Sequence, residues 1–101
     1  MTRERRRVVI TGMGAVTATG LGVDSLWTAA RDGRSGVSHF QLDRYPKQRI
    51  TRAAHVKDFP AEALLGATAV KTCDRFAQFA LVASREALAQ VPGAPSRQWN
   101  F

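Results

Sequence analysis

A chain of 101 residues holds one small domain at most and sits low in the range where a single core is stable by itself. With 45% hydrophobic and 23% charged residues it is globular in composition, which excludes low-complexity disorder, and residues 8–23, a long uncharged stretch, are too interrupted by glycine and threonine to supply the ~20 apolar residues of a membrane span. The net charge of +7, from 15 basic against 8 acidic residues, points to an anionic partner. Nucleic acid is not that partner on this reading: the basic residues are scattered, follow no single helix face, and have no aromatic residues interleaved as a stacking platform.

The first residues, Met1-Thr2-Arg3-Glu4-Arg5-Arg6-Arg7, are basic but lead into no long apolar region or small-residue cleavage site. A secretory signal is therefore not expected, and a cytoplasmic protein is. Cys73 is the one cysteine, so neither an intrachain disulfide nor a cysteine-based metal cluster can form.

In chain order, Val8-Val9-Ile10 is a continuous apolar run bounded by charge and by Gly12 and Gly14, and reads as a strand buried on both faces. Residues 21–32 read as an amphipathic helix, because Val23, Leu26, Trp27 and Ala30 fall at i, i+3, i+4 and i+7; Trp27 is accordingly expected on the buried side. Asp24 suits the first turn of that helix and Gly33 a left-handed C-terminal cap. Residues 34–49 hold Gly36, Pro46 and isolated aromatics without a period, and form a long surface excursion.

Residues 50–56 form a weak strand, closed by Lys57-Asp58-Phe59-Pro60, and residues 60–65 a short helical turn ending near Gly66. The second strong helix spans residues 72–91, with Asp74, Gln78, Arg85, Glu86 and Gln90 on one side and a broad, alanine-rich apolar face on the rest. Pro92-Gly93-Ala94-Pro95-Ser96 ends it. The order of strand, helix, long loop, weak strand and helix defines an α/β protein whose sheet is incomplete in this chain.

Ile10-Thr11-Gly12-Met13-Gly14 opens like a dinucleotide fingerprint, but Thr17 stands where the third glycine belongs, Gly20 and Gly22 separate the turn from the helix, and Asp32 closes a helix instead of a strand. The glycines are better read as letting the end of a strand pack its backbone closely. A dinucleotide-binding domain remains the weakest of the readings.

Residues 6–17, Arg-Arg-Val-Val-Ile-Thr-Gly-Met-Gly-Ala-Val-Thr, followed by Gly20-Leu21-Gly22-Val23-Asp24-Ser25-Leu26-Trp27, resemble the opening of elongating β-ketoacyl-acyl-carrier-protein synthases. Arg34-Ser35-Gly36-Val37, Val56-Lys57-Asp58-Phe59 and Asp74-Arg75-Phe76-Ala77-Gln78-Phe79-Ala80 follow in that family's order and roughly its spacing, so the resemblance covers residues 6 to about 90. Ala18 replaces a common proline and Cys73 a common methionine. Residues 1–91 are then a partial N-terminal domain, and residues 92–101 a divergent or truncated tail whose origin in truncation, frameshift or loop divergence stays open.

The resemblance implies a thiolase-like fold with a duplicated α/β core in five layers, a homodimer, and condensation of an acyl thioester with malonyl carrier protein without metal or organic cofactor. It also implies a cysteine nucleophile and two histidines that lie beyond residue 101, so no catalytic residue is assigned within the chain. Cys73, at a methionine position, reads as a structural thiol; His39 and His55 match no catalytic histidine and read as surface or packing residues. Relatives carry basic residues before the Asp-x-Phe helix that help dock the acidic acyl carrier protein, and position by position only Lys71 matches, Thr68 and Thr72 standing where charge is common. A solvated surface lysine is the competing reading of Lys71. A catalytically silent chain-length partner and a truncated gene product are the alternatives to an active synthase.

Overall fold

The structure, a computed structural model, describes residues 4–92. The sequence-predicted tail lies, beyond Pro92, outside the described residues.

The chain after Arg7 has no strand at Val8-Val9-Ile10: the three side chains are 93%, 72% and 82% exposed, and the segment carries no ladder pairing. This corrects the expected buried strand. Ladder bonds must come from a neighbouring strand, and none of the four described strands pairs with this run.

Order begins where glycine permits contact. A Cβ at Gly12 or Gly14 would overlap the carbonyl oxygens of Ala87 and Ala83, so these two positions let the backbone lie directly on a helix. The close packing expected of these glycines is present, but against a helix and after a segment that is not a strand. The chain then forms a tight hairpin, β1 (Val16–Thr17) with β2 (Gly20–Leu21), in antiparallel register Val16 to Leu21 and Thr17 to Gly20. Gly20 takes φ +134°, a conformation that glycine alone adopts without strain.

Helix α1 (Val23–Asp32) follows, with Asp24 in its first turn and Gly33 closing it at φ 70°, ψ 24° in the left-handed region. Both features match expectation. The buried face does not: Ala29 is 2% exposed while Leu26 is 41% and Trp27 64% exposed. Of the i, i+3, i+4, i+7 stripe, Val23 is half-buried while Leu26, Trp27 and Ala30 face outward, because the described chain packs on the side of the helix that carries Ala29.

The surface excursion contains one short strand, β3 (Ser38–His39), which pairs antiparallel with β4 (Arg52–Ala53), the core of the expected weak strand. Two separate two-stranded sheets result, giving a small α/β architecture. The short helical turn is present as α2 (Ala61–Leu65), ending at Gly66. An unexpected helix, α3 (Ala67–Thr72), starts at that same glycine, so the second strong helix begins later than expected: α4 spans Arg75–Ala89. Cys73, at φ −113° and ψ 133°, is the extended break between them.

Polar side chains of α4, and Gln90 just after it, bond to backbone groups of the opening segment. Glu86 accepts a hydrogen bond from the Ala15 amide at 2.9 Å through Oε1 and from the Val23 amide at 3.1 Å through Oε2. Gln90 accepts from the Met13 amide at 3.2 Å and donates to the Met13 carbonyl at 2.8 Å. The Val23 amide is one of the orphan donors of the first turn of α1, a helix with no side-chain cap of its own, and a carboxylate there also suits the helix dipole.

Candidate functional site

The last turn of α3, just before the break to α4, carries Lys71, the residue assigned by the resemblance. Breaking a helix at Cys73 leaves the last carbonyls of α3 without intrahelical partners. Gln78 satisfies them from the first turns of α4: its side-chain amide donates to the Cys73 carbonyl at 2.9 Å and, at 3.5 Å, to that of Val70. At 7% exposure Gln78 is the one buried polar residue described, and its two bonds fix the angle between the helices. Thr72 adds a bond from its hydroxyl to the Thr68 carbonyl at 2.9 Å.

Arg75 braces the same corner. Its guanidinium lies 5.6 Å from the Phe59 ring centroid and 5.3 Å from that of Phe79, within range for cation–π attraction, while one Nη donates to the Val56 carbonyl at 3.3 Å. The two phenylalanine rings meet edge to face with centroids 4.9 Å apart. Arg75 is thereby committed to holding the loop before α2 against α4. Arg85 acts similarly further along, donating to the Leu64 carbonyl at 2.8 Å.

Lys71 differs from both arginines. It lies in the last turn of α3, where a cation complements the helix dipole, its side chain is exposed, and it takes part in none of the side-chain hydrogen bonds or ion pairs among the described residues. It belongs to a short helix that precedes the Asp-x-Phe helix. The polar tip is thus presented to solvent from a helix whose orientation Gln78 sets.

The residues rejected as catalytic are dispersed. Cys73 is partly buried at the helix break, its Sγ 3.9 Å from the Thr72 hydroxyl. His39 is exposed on β3. His55 packs against Phe40 with ring centroids 4.9 Å apart, and its Nδ1 lies 3.4 Å from the Ala53 carbonyl. Among the described residues no three His, Cys, Asp or Glu side chains converge to hold a metal, and no helix is long and apolar enough to cross a membrane.

The organising residues of this corner, Gln78 and Arg75, were not singled out as such from sequence. The signal available was the spacing of Gln78, Glu86 and Gln90, which recur on one side of α4 and all bond to backbone groups of other segments.

The family model of the β-ketoacyl synthase N-terminal domain matches residues 5–98. Among curated proteins, a 3-oxoacyl-[acyl-carrier-protein] synthase 2 of Coxiella burnetii is 39% identical over 87 residues, covering 83% of this chain and 20% of the relative. Its namesake in Synechocystis is 35% identical over 85 residues, covering 84% and 20%, and a Streptomyces halstedii protein described as a polyketide β-ketoacyl synthase is 37% identical over 83 residues, covering 82% and 20%. The chain therefore belongs to the β-ketoacyl synthase family, which it matches in the N-terminal domain over residues 5–98. It spans about one fifth of the length of these relatives.

Proposed function

We propose that this chain is the N-terminal part of an acyltransferase that condenses an acyl thioester with malonyl carrier protein in fatty-acid or polyketide synthesis, and that it is inactive as an isolated chain. The observation that carries this reading is the match of the family's N-terminal domain to residues 5–98. The names of its relatives, which specify synthases of 3-oxoacyl carrier protein, support the same substrate class.

Condensation begins with a thiolate taking the acyl group from a thioester, which needs a cysteine made nucleophilic by a helix terminus or a nearby histidine. Cys73 sits behind the C-terminus of α3 with neither His39 nor His55 among its hydrogen-bond partners, and is a structural thiol in this reading. The whole enzyme is then a thiolase-like, cytoplasmic homodimer needing no metal or organic cofactor, with residues 1–91 as part of its first domain and 92–101 as a divergent or truncated tail. Lys71 contributes to docking the acidic acyl carrier protein; its exposure and its lack of competing partners among the described residues support that role, and such contacts act chiefly on encounter rate.

The test is transfer of a radiolabelled acyl group from carrier protein to the purified chain. No stable label is expected, whereas a longer chain that includes the family's downstream cysteine and histidines is expected to be labelled at that cysteine. Stable labelling of Cys73 would overturn the reading.

A further inference from the structure

The loop between β3 and β4 is a strongly charged surface that the corner around Lys71 does not use. Arg44, Lys47 and Arg49 lie at its tip with Asp43 as the one acidic residue, and Arg52 and Lys57 continue the series; all five cations are exposed. Among the described residues the one ion pair is Arg31 with Asp32, so none of these five charges is neutralised there by a carboxylate.

The loop is fastened locally. Gln48 accepts from the Leu42 amide at 3.1 Å and donates to the Phe40 carbonyl at 3.0 Å and to the Ile50 carbonyl, closing the base of the loop with one side chain. Two successive turns shape the tip, with the Tyr45 amide bonded to the Leu42 carbonyl at 2.9 Å and the Gln48 amide to the Tyr45 carbonyl at 3.0 Å. A shallow depression of about 400 Å³ is lined there by Arg44, Tyr45, Pro46, Lys47 and Gln48. The cations are thus presented on a preshaped loop that needs no large core behind it.

We infer that this loop is a second docking surface, besides Lys71, for the acidic acyl carrier protein; the inference rests on the carrier-protein reading given above. Cations spaced along a loop match carboxylates dispersed over a protein surface, whereas single-stranded nucleic acid calls for a basic track with several stacking aromatics, and Tyr45 is the lone aromatic at the tip. The arm leaving the loop through β4 reaches Val56, whose carbonyl is held by Arg75, four residues after Lys71.

The experiment measures binding of acyl carrier protein to the 101-residue chain at low and high ionic strength, with far-UV circular dichroism confirming that each variant keeps the parent's helix content. The triple variant Arg44→Glu, Lys47→Glu, Arg49→Glu is expected to weaken binding at low ionic strength by about tenfold or more, chiefly through slower association. The equally charged control Arg5→Glu, Arg6→Glu, Arg7→Glu is expected to stay near the parent value. Equal loss in the two triple variants would reduce the effect to net charge and overturn the inference, as would a loop variant that loses affinity for a DNA duplex but not for carrier protein. Loss in Lys71→Glu with none in the loop variant overturns the loop's role and leaves that of Lys71 standing. A parent chain that does not bind carrier protein overturns the docking reading and the inference with it.

Discussion

Glu86 joins two segments with one carboxylate, since Ala15 in the approach to β1 and Val23 at the start of α1 donate to its two oxygens. Hydrogen bonds to a charged group are worth about 1.5–3 kcal/mol each, and a donor left without a partner adds a desolvation cost. Glu86→Ala is therefore expected to speed amide exchange at Ala15 and Val23 by about tenfold or more, while exchange within the middle of α4 changes little. Equal acceleration throughout α4 would show that Glu86 supports its own helix instead of clamping the other two segments. Gly14 belongs to the same contact, because any side chain there would meet the Ala83 carbonyl and lift the segment off α4.

The elements that were legible in sequence are those closed by local signals. Asp24 and Gly33 bound α1, and Gly66 ends α2, through interactions within a turn of the helix itself. Elements that depend on distant partners were misread: the apolar pattern of residues 8–10 promised a strand but contained nothing about whether an edge was available. Similarly, the stripe containing Trp27 reports an apolar face without saying which element covers it. The polar side of α4 was visible, but polarity alone does not distinguish a side chain that meets water from one, such as Gln78, that meets backbone carbonyls. Lys71 was found only through resemblance, and its placement in α3 was hidden because a helix of six residues gives too short a period to detect. At 64% exposure, Trp27 is expected to give red-shifted, readily quenched fluorescence in a Trp99→Phe background, and Trp27→Ala is expected to leave helix content unchanged. A blue-shifted, quencher-resistant spectrum would place Trp27 against other parts of the chain.

At the scale of the molecule, Ala29 is the sole buried apolar residue described, and the Cα radius of gyration is 18.1 Å, against about 13 Å for a compact domain of this length. Each large apolar side chain left in water forfeits about 1.5–3 kcal/mol, while a domain's total stability is about 5–15 kcal/mol. Val8, Val9, Ile10, Trp27 and Phe76, each more than half exposed, together account for a deficit of that order. The isolated chain is accordingly expected to melt gradually in heat or urea, without a sharp transition, and to show weak amide protection at residues 8–10. A cooperative transition from a monomer with strong protection there would establish a complete domain.

The clamp formed by α4 also imposes an order of events during synthesis. Its side-chain bonds to Met13, Ala15 and Val23 span 77, 71 and 63 residues of sequence, so the opening segment emerges from the ribosome long before the helix that receives it. At about 5–20 residues per second, that interval is on the order of 3–15 seconds. Throughout it, Gly12 and Gly14 have no helix to lie on, and Val8, Val9 and Ile10 are available to any chaperone waiting at the exit tunnel.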